Sequence, residues 1–185
     1  MRRTVAWTLV VLMSSVAGVA AQAPPTKPGP EHKKLEYFVG KWTSTGEMKP
    51  SPFGPAGKVT STDTCEWFQG GFAVICNSQG TGPTGPSKGI GVMGYSADQK
   101  MYTYFGVDNT AMAMTTIPKG TVQGDTWTYN DEGTMGGQPY KSRFILKIAS
   151  PTSYTFKWET LGPDKKWMPV MEGTSTKAAT KAGTK

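Results

Sequence analysis

From Lys41 onward the chain alternates apolar and polar residues in short runs, each closed by Gly, Pro, Asn or Asp, and only Glu31 to Val39 carries a helical period. Side chains two apart share one face of a strand, so this pattern demands a sheet with two distinct faces and leaves no room for a helical core. Strands are expected at roughly 41–49, 58–68, 72–80, 88–96, 101–108, 112–122, 125–131, 138–148, 154–161 and 167–177. Ten short strands after one helical turn predict an all-β chain. The expected architecture is a single closed antiparallel barrel of about ten strands, plugged at one end by the turn, with an interior that can hold one small molecule.

The two ends of the chain read differently. Arg2 and Arg3 precede an apolar stretch from Val5 to Ala20, too short to span a bilayer and closed by Val19-Ala20-Ala21. Residues 1–21 are therefore expected to be a cleaved signal peptide. No cysteine stands at the cleavage point, so a soluble periplasmic or secreted protein beginning at Gln22 is expected, with no stable membrane anchor. A flexible segment over 22–30, the barrel over 31–177 and a disordered basic tail over 178–185 complete the expected organisation. The net charge of +7 falls to about +5 without Arg2 and Arg3, and Lys177, Lys181 and Lys185 supply three of those charges. A body near +2 has no basic stripe for nucleic acid.

Cys65 and Cys76 bracket a segment whose midpoint is Gly70-Gly71. Two glycines there suit a primed two-residue turn, which would make the cysteines a hydrogen-bonded cross-strand pair within disulfide reach. A Cys65–Cys76 disulfide is expected, consistent with export to an oxidising compartment. Two longer Gly/Pro-rich segments, Pro50 to Gly57 and Thr81 to Ser87, either flank a barrel mouth or serve as solvated connectors.

Tyr95 and Tyr102 lie symmetrically about Asp98-Gln99 and are expected to face one another across a hairpin. One face of that hairpin carries Ile90, Val92, Gly94, Thr103, Phe105 and Val107; the other carries Gly91, Met93, Tyr95, Tyr102, Tyr104 and Gly106. The first is the expected interior; the second, if inward, would offer hydroxyls to a ligand. Further on, Tyr140, Ser142, Phe144, Leu146 and Ile148 share a face, with Arg143 directed to water. Tyr154, Phe156 and Trp158 line one side of the next strand.

No nucleophile with a base, metal set or phosphate loop is legible, so no catalytic residue is assigned. Asp63, Glu66, Asp108 and Glu159 are the carboxylates open to consideration as a buried base. Met112 and Met114 share a strand face and invite the thought of Cu(I), but the remaining methionines are scattered and read as core filling. His32, the single histidine, precedes the first strand, where it caps the helical turn and does not hold haem. No metal and no cofactor are expected.

Gly29-Pro30-Glu31-His32, then Leu35, Gly40 and Trp42, then Gly94-Tyr95 and Tyr102, resemble the motifs of a bacterial family catalogued as a domain of unknown function. The resemblance implies a calycin-like, lipocalin-related barrel. Gly40-x-Trp42 is similar to the opening motif of lipocalins, in which the tryptophan packs against an arginine near the last strand; the last strand here, Trp167 to Lys177, contains none. The functional expectation is a binder of a small apolar or amphipathic molecule, with Phe105, Met112, Met114, Phe144, Phe156 and Trp158 lining the site. A filled-core interaction protein, or an isomerase or hydrolase on the same barrel, are the alternatives.

Overall fold

The computed structural model describes residues 27–109, 116–135 and 137–179. The expected signal peptide, Met112 and Met114, and nearly all of the basic tail lie outside them. Ten antiparallel strands follow a one-turn helix α1 (Pro30–Lys33) and a 3-10 turn (Lys34–Phe38): β1 (Gly40–Met48), β2 (Gly57–Trp67), β3 (Ala73–Gly82), β4 (Gly85–Ser96), β5 (Met101–Asp108), β6 (Lys119–Gln123), β7 (Thr126–Met135), β8 (Gln138–Ser150), β9 (Ser153–Leu161) and β10 (Trp167–Lys177). Each strand pairs with its neighbours in sequence, and β1 pairs with β10 to close the barrel. Closure removes the exposed edges that an open sheet would present.

The expected strands are found, with three local differences. Thr81 to Ser87 is no long loop: β3 and β4 pair up to Gly82↔Gly85, leaving only Pro83-Thr84 as the hairpin turn. The strand expected over 112–122 is represented by β6, which among the described residues meets β5 at Tyr102↔Gly120 and Thr103↔Lys119. The third difference concerns the cysteines. They face one another in the expected register and form a disulfide, but their Cα atoms are 4.0 Å apart. The Phe68 amide donates to the Ala73 carbonyl at 2.8 Å, so the loop holds four residues, not two. Counting outward from that bonded pair makes Cys65–Cys76 a non-hydrogen-bonded pair, the closer of the two antiparallel classes. On the chain-entropy account, a bridge closing about a dozen residues contributes roughly 3 kcal/mol.

Alternation assigns the faces. Trp42, Cys65, Val74, Cys76, Met93, Tyr102, Trp127, Tyr129, Leu146 and Phe156 point inward and are buried. On β4 and β5 this corrects the expected interior: the tyrosine face is inside, while Ile90, Phe105 and Val107 are exposed on the outer wall, Ile90 opposite Val107 and Phe105 opposite Val92. Tyr95 and Tyr102 are opposite one another as expected, ring centroids 5.0 Å apart.

The helical turns form a stopper across one end. Leu35 and Phe38 are buried, and Phe38 packs edge-on against Trp127 at 5.1 Å. The Trp42 indole N–H donates to the Phe38 carbonyl at 2.7 Å, and the Tyr102 hydroxyl donates to the Glu31 carboxylate at 2.5 Å. The Gly29 amide donates to His32 Nδ1 at 3.2 Å, so His32 does cap the turn, with its ring set edge-on to Phe72 and Tyr95. Gly40 turns the chain from stopper into β1 at φ +120°, where a side chain would be strained and would also meet Lys177. Lys177 packs against the first-strand tryptophan: its Nζ lies 5.2 Å from the Trp42 ring centroid and donates to the Tyr37 carbonyl at 3.1 Å. The Ala178 amide donates to the Lys41 carbonyl at 2.7 Å, so the last strand leaves the barrel beside the first.

Candidate functional site

Moving from the stopper along the barrel axis, the interior face changes character. Beyond the buried Trp42 and Trp127 come Ser44, Ser61, Asp63, Ser78, Tyr104, Tyr129, Phe144, Phe156 and Ser175, and then Trp158, Tyr140 and Asp131 nearer the far end. Ser61, Asp63, Ser78, Phe144 and Trp158 are only partly buried although they face the lumen of a closed barrel. Tyr104 is the clearest case, with 36% of its surface accessible. An inward side chain in a filled core would be covered on all sides.

The packing of the rings explains how that space is kept. A Cβ at Gly91 would fall 2.8 Å from Tyr104 Oη, and one at Gly120 would fall 2.6 Å from the Tyr129 ring. Each tyrosine therefore lies across a glycine on the adjacent strand, flat against the wall instead of reaching for the axis. Glycine is needed at these positions because the rings occupy the volume where side chains would be. The interior glycines thus give the two rings room to lie along the wall.

Polar groups are arranged around that lumen in a definite way. Asp63 accepts hydrogen bonds from the hydroxyls of Ser61, at 3.3 Å, and Ser78. Ser44 donates to Ser175 at 3.0 Å in a buried pair joining β1 to β10. Near the far end Asp131 accepts from Tyr140 at 2.7 Å and from Thr116. The Tyr129 hydroxyl is buried and has no hydrogen-bond partner among the described residues. Burial raises the Tyr104 phenol above its ordinary pKa, helped by repulsion from Asp63 and Asp108. Burial likewise raises Tyr129, and pushes Tyr154 up to about 12. These phenols stay neutral at physiological pH and present donors as well as acceptors.

The far end is partly covered. In the Pro50–Gly57 segment Phe53 packs against Trp158 with ring centroids 4.5 Å apart and approaches Tyr140 at 6.2 Å, so this segment flanks the mouth. The outer wall of β1 to β5 carries a shallow open groove of about 670 Å³, lined by exposed side chains that include Lys41, Thr62, Asn77, Gln79 and Lys88. Nothing in it is a buried polar anchor comparable to Tyr129.

Of the six residues expected to line a site, Phe144, Phe156 and Trp158 lie on the interior face, with Phe144 and Phe156 stacked at 6.0 Å. Phe105 does not: it is 41% exposed on the outer wall. Met112 and Met114 lie outside the described residues. Among the candidate carboxylates, Asp63 is on an inward strand position, Asp108 is exposed at the end of β5 and Glu66 is on the outer wall. Glu159 is also on the outer wall but buried between Arg143, at 2.6 Å, and Lys157, at 2.8 Å. Arg143 also lies over the Trp167 ring at 4.3 Å, as an outward residue with partners of its own. The described residues hold no group of three His, Cys, Asp or Glu placed to bind a metal ion. None of their helices is long and apolar enough to cross a membrane.

Sequence reasoning missed Tyr129 as a lumen residue and offered Tyr104 only through the alternative in which the tyrosine face points inward. Their signal was present in the pairing of each with a strand glycine, Gly120 and Gly91, but it emerges only once register is known.

Among the solved structures similar to this barrel are two with overall likeness of fold. The S-type phycobiliprotein lyase CPES from Guillardia theta is similar with a TM-score of 0.58 and 13% identity, covering 82% of this chain and 94% of that one. Rv2717c from M. tuberculosis is similar with a TM-score of 0.59 and 10% identity, covering 82% of this chain and 99% of that one. At such identities the likeness is one of fold. No curated protein matches the chain in sequence. The model of the family described as "Protein of unknown function (DUF1579)" matches residues 27–177, nearly all of the described barrel and its stopper, and the chain belongs to that family.

Proposed function

We propose that this chain is an exported binding protein that holds a small apolar or amphipathic molecule in its barrel. The observation that carries the reading is Tyr104: an inward-facing ring laid against the wall of a closed barrel, yet more than a third accessible. A filled-core interaction protein has no use for such an arrangement, whereas a binding site needs apolar walls with a few oriented polar groups. The likeness of fold to a phycobiliprotein lyase supports a lumen as the working part of the molecule. Export rests on the Arg2-Arg3 start, the apolar stretch and Val19-Ala20-Ala21.

The test uses a neutral fluorescent probe, N-phenyl-1-naphthylamine, with Trp158 as internal donor. Saturable one-to-one binding by the wild type is expected, and loss of that binding in Ser61→Phe, which places a ring in the lumen. A wild type that never saturates the probe would retire the reading. Purification from the native host should give a soluble protein starting at Gln22.

A further inference from the structure

The charge of the lumen narrows the chemistry of its occupant. Two carboxylates, Asp63 and Asp131, sit on inward positions of β2 and β7. Asp63 is held by the hydroxyls of Ser61 and Ser78, and Asp131 by those of Tyr140 and Thr116; these partners leave each charge unneutralised. Among the described residues the one inward cation is Lys177, which is engaged at the stopper with the Tyr37 carbonyl and the Trp42 ring. Arg143 is on the outer wall, bound to Glu159. A carboxylate ligand would thus enter an acidic lumen with no cation to receive it, at a heavy desolvation cost.

A second feature points to a ligand independently of the acids. Tyr129 is 4% exposed, its hydroxyl has no partner among the described residues, and its ring lies 6.3 Å from that of Tyr104, whose phenol in turn senses Asp63. Buried hydroxyls are ordinarily hydrogen-bonded, so an orphan facing a lumen marks a place where an occupant supplies the missing bond. Two aromatic faces beside a carboxylate offer a cation both ring electrons and a counter-charge.

We infer that the lumen takes a cationic amphiphile, a protonated amine whose ammonium group lies among Asp63, Tyr104 and Tyr129 and whose apolar body extends toward Phe144, Phe156 and Trp158. This rests on the binding-protein reading above. The ammonium donates to the Asp63 carboxylate and to Tyr129 Oη, and its body replaces water along the aromatic wall. Neutral molecules of the same shape are admitted but lack the charge-assisted contact.

Three probes with one tail separate the possibilities: 1-octylamine, 1-octanol and octanoate, titrated by calorimetry at neutral pH, where the amine is charged. The amine should bind at least about tenfold tighter than the alcohol, the equivalent of one charge-assisted contact, and octanoate more weakly than either. Asp63→Asn should bring the amine down to about the alcohol, with a loss for the amine much larger than any change in the alcohol, whose bond at this place is uncharged. Tyr129→Phe guards against a misfolded Asp63 variant. It should weaken the amine several-fold without lowering the thermal midpoint of the free protein, because the hydroxyl has no internal bond to lose. An amine no tighter than the alcohol, or octanoate equal to the amine, overturns the inference and leaves the lumen a neutral binder. Failure of all three probes overturns both this inference and the reading beneath it.

Discussion

The stopper and the lumen are built from the same residue types to opposite ends. At the stopper, aromatic rings meet edge to face, and the polar atoms of Trp42, Tyr102, His32 and Tyr37 each bond to a named partner. Further along the barrel, Tyr104 and Tyr129 lie against glycines, one partly accessible and the other with its hydroxyl unpartnered among the described residues. Closed bonds favour stability, and under the proposal above the open ones are left for an occupant. The motif residues that carry the family resemblance mostly cluster at the stopper. They therefore report an architecture and say nothing of the occupant.

The contrast can be broken first at its largest expected effect. Trp42→Ala should cost about 3–5 kcal/mol in urea unfolding, as for other fully buried aromatics, whereas Trp158→Ala at the half-buried mouth should cost markedly less. Equal losses would mean that the lumen is packed as tightly as the stopper. Next, Tyr102→Phe removes a hydrogen bond to a charged carboxylate and should cost roughly 1.5–3 kcal/mol at neutral pH. Glu31 is held below the ordinary glutamate range by its bond to Lys34 first and by Tyr102 second. A depressed pKa in the folded state stabilises above the unfolded value of about 4.3 and is lost as pH falls through the lower folded value. The gap between wild type and Tyr102→Phe should accordingly narrow in acid; a gap constant with pH would show that the bond to Glu31 is not its source. The smallest effect is expected at Phe105→Ser, within about 0.5 kcal/mol, because an outer-wall ring has little to lose. A loss of several kcal/mol would return Phe105 to the interior.

Much of the scaffold could be read before any coordinates. The ten alternating runs, the Tyr95–Tyr102 pairing and the Cys65–Cys76 register all follow from period two and symmetry about a turn, which are local properties. The turn class at Gly70-Gly71 was not legible, because two glycines suit a four-residue loop as well as a two-residue one and both keep the same centre of symmetry. Thr81 to Ser87 misled for a related reason: glycine and proline punctuate loops, yet here most of that segment continues two paired strands. The face of β4 and β5 misled for a deeper one. Apolar residues mark the inside of a filled core, but this hairpin keeps its interior for glycine and tyrosine and puts Ile90, Phe105 and Val107 outside. Hollow barrels weaken the rule that the greasier face is the buried one. Lys177 was read as part of the solvated basic excess, and only its pairing with Trp42 across β1 and β10 reveals a stopper residue.

Closure of β10 onto β1 has a practical corollary. The described chain enters at the helical turns and leaves past Ala178, which is tied to Lys41, so both routes out of the fold emerge behind the stopper. A fusion partner joined just past Ala178 would therefore extend from the stopper end of the barrel.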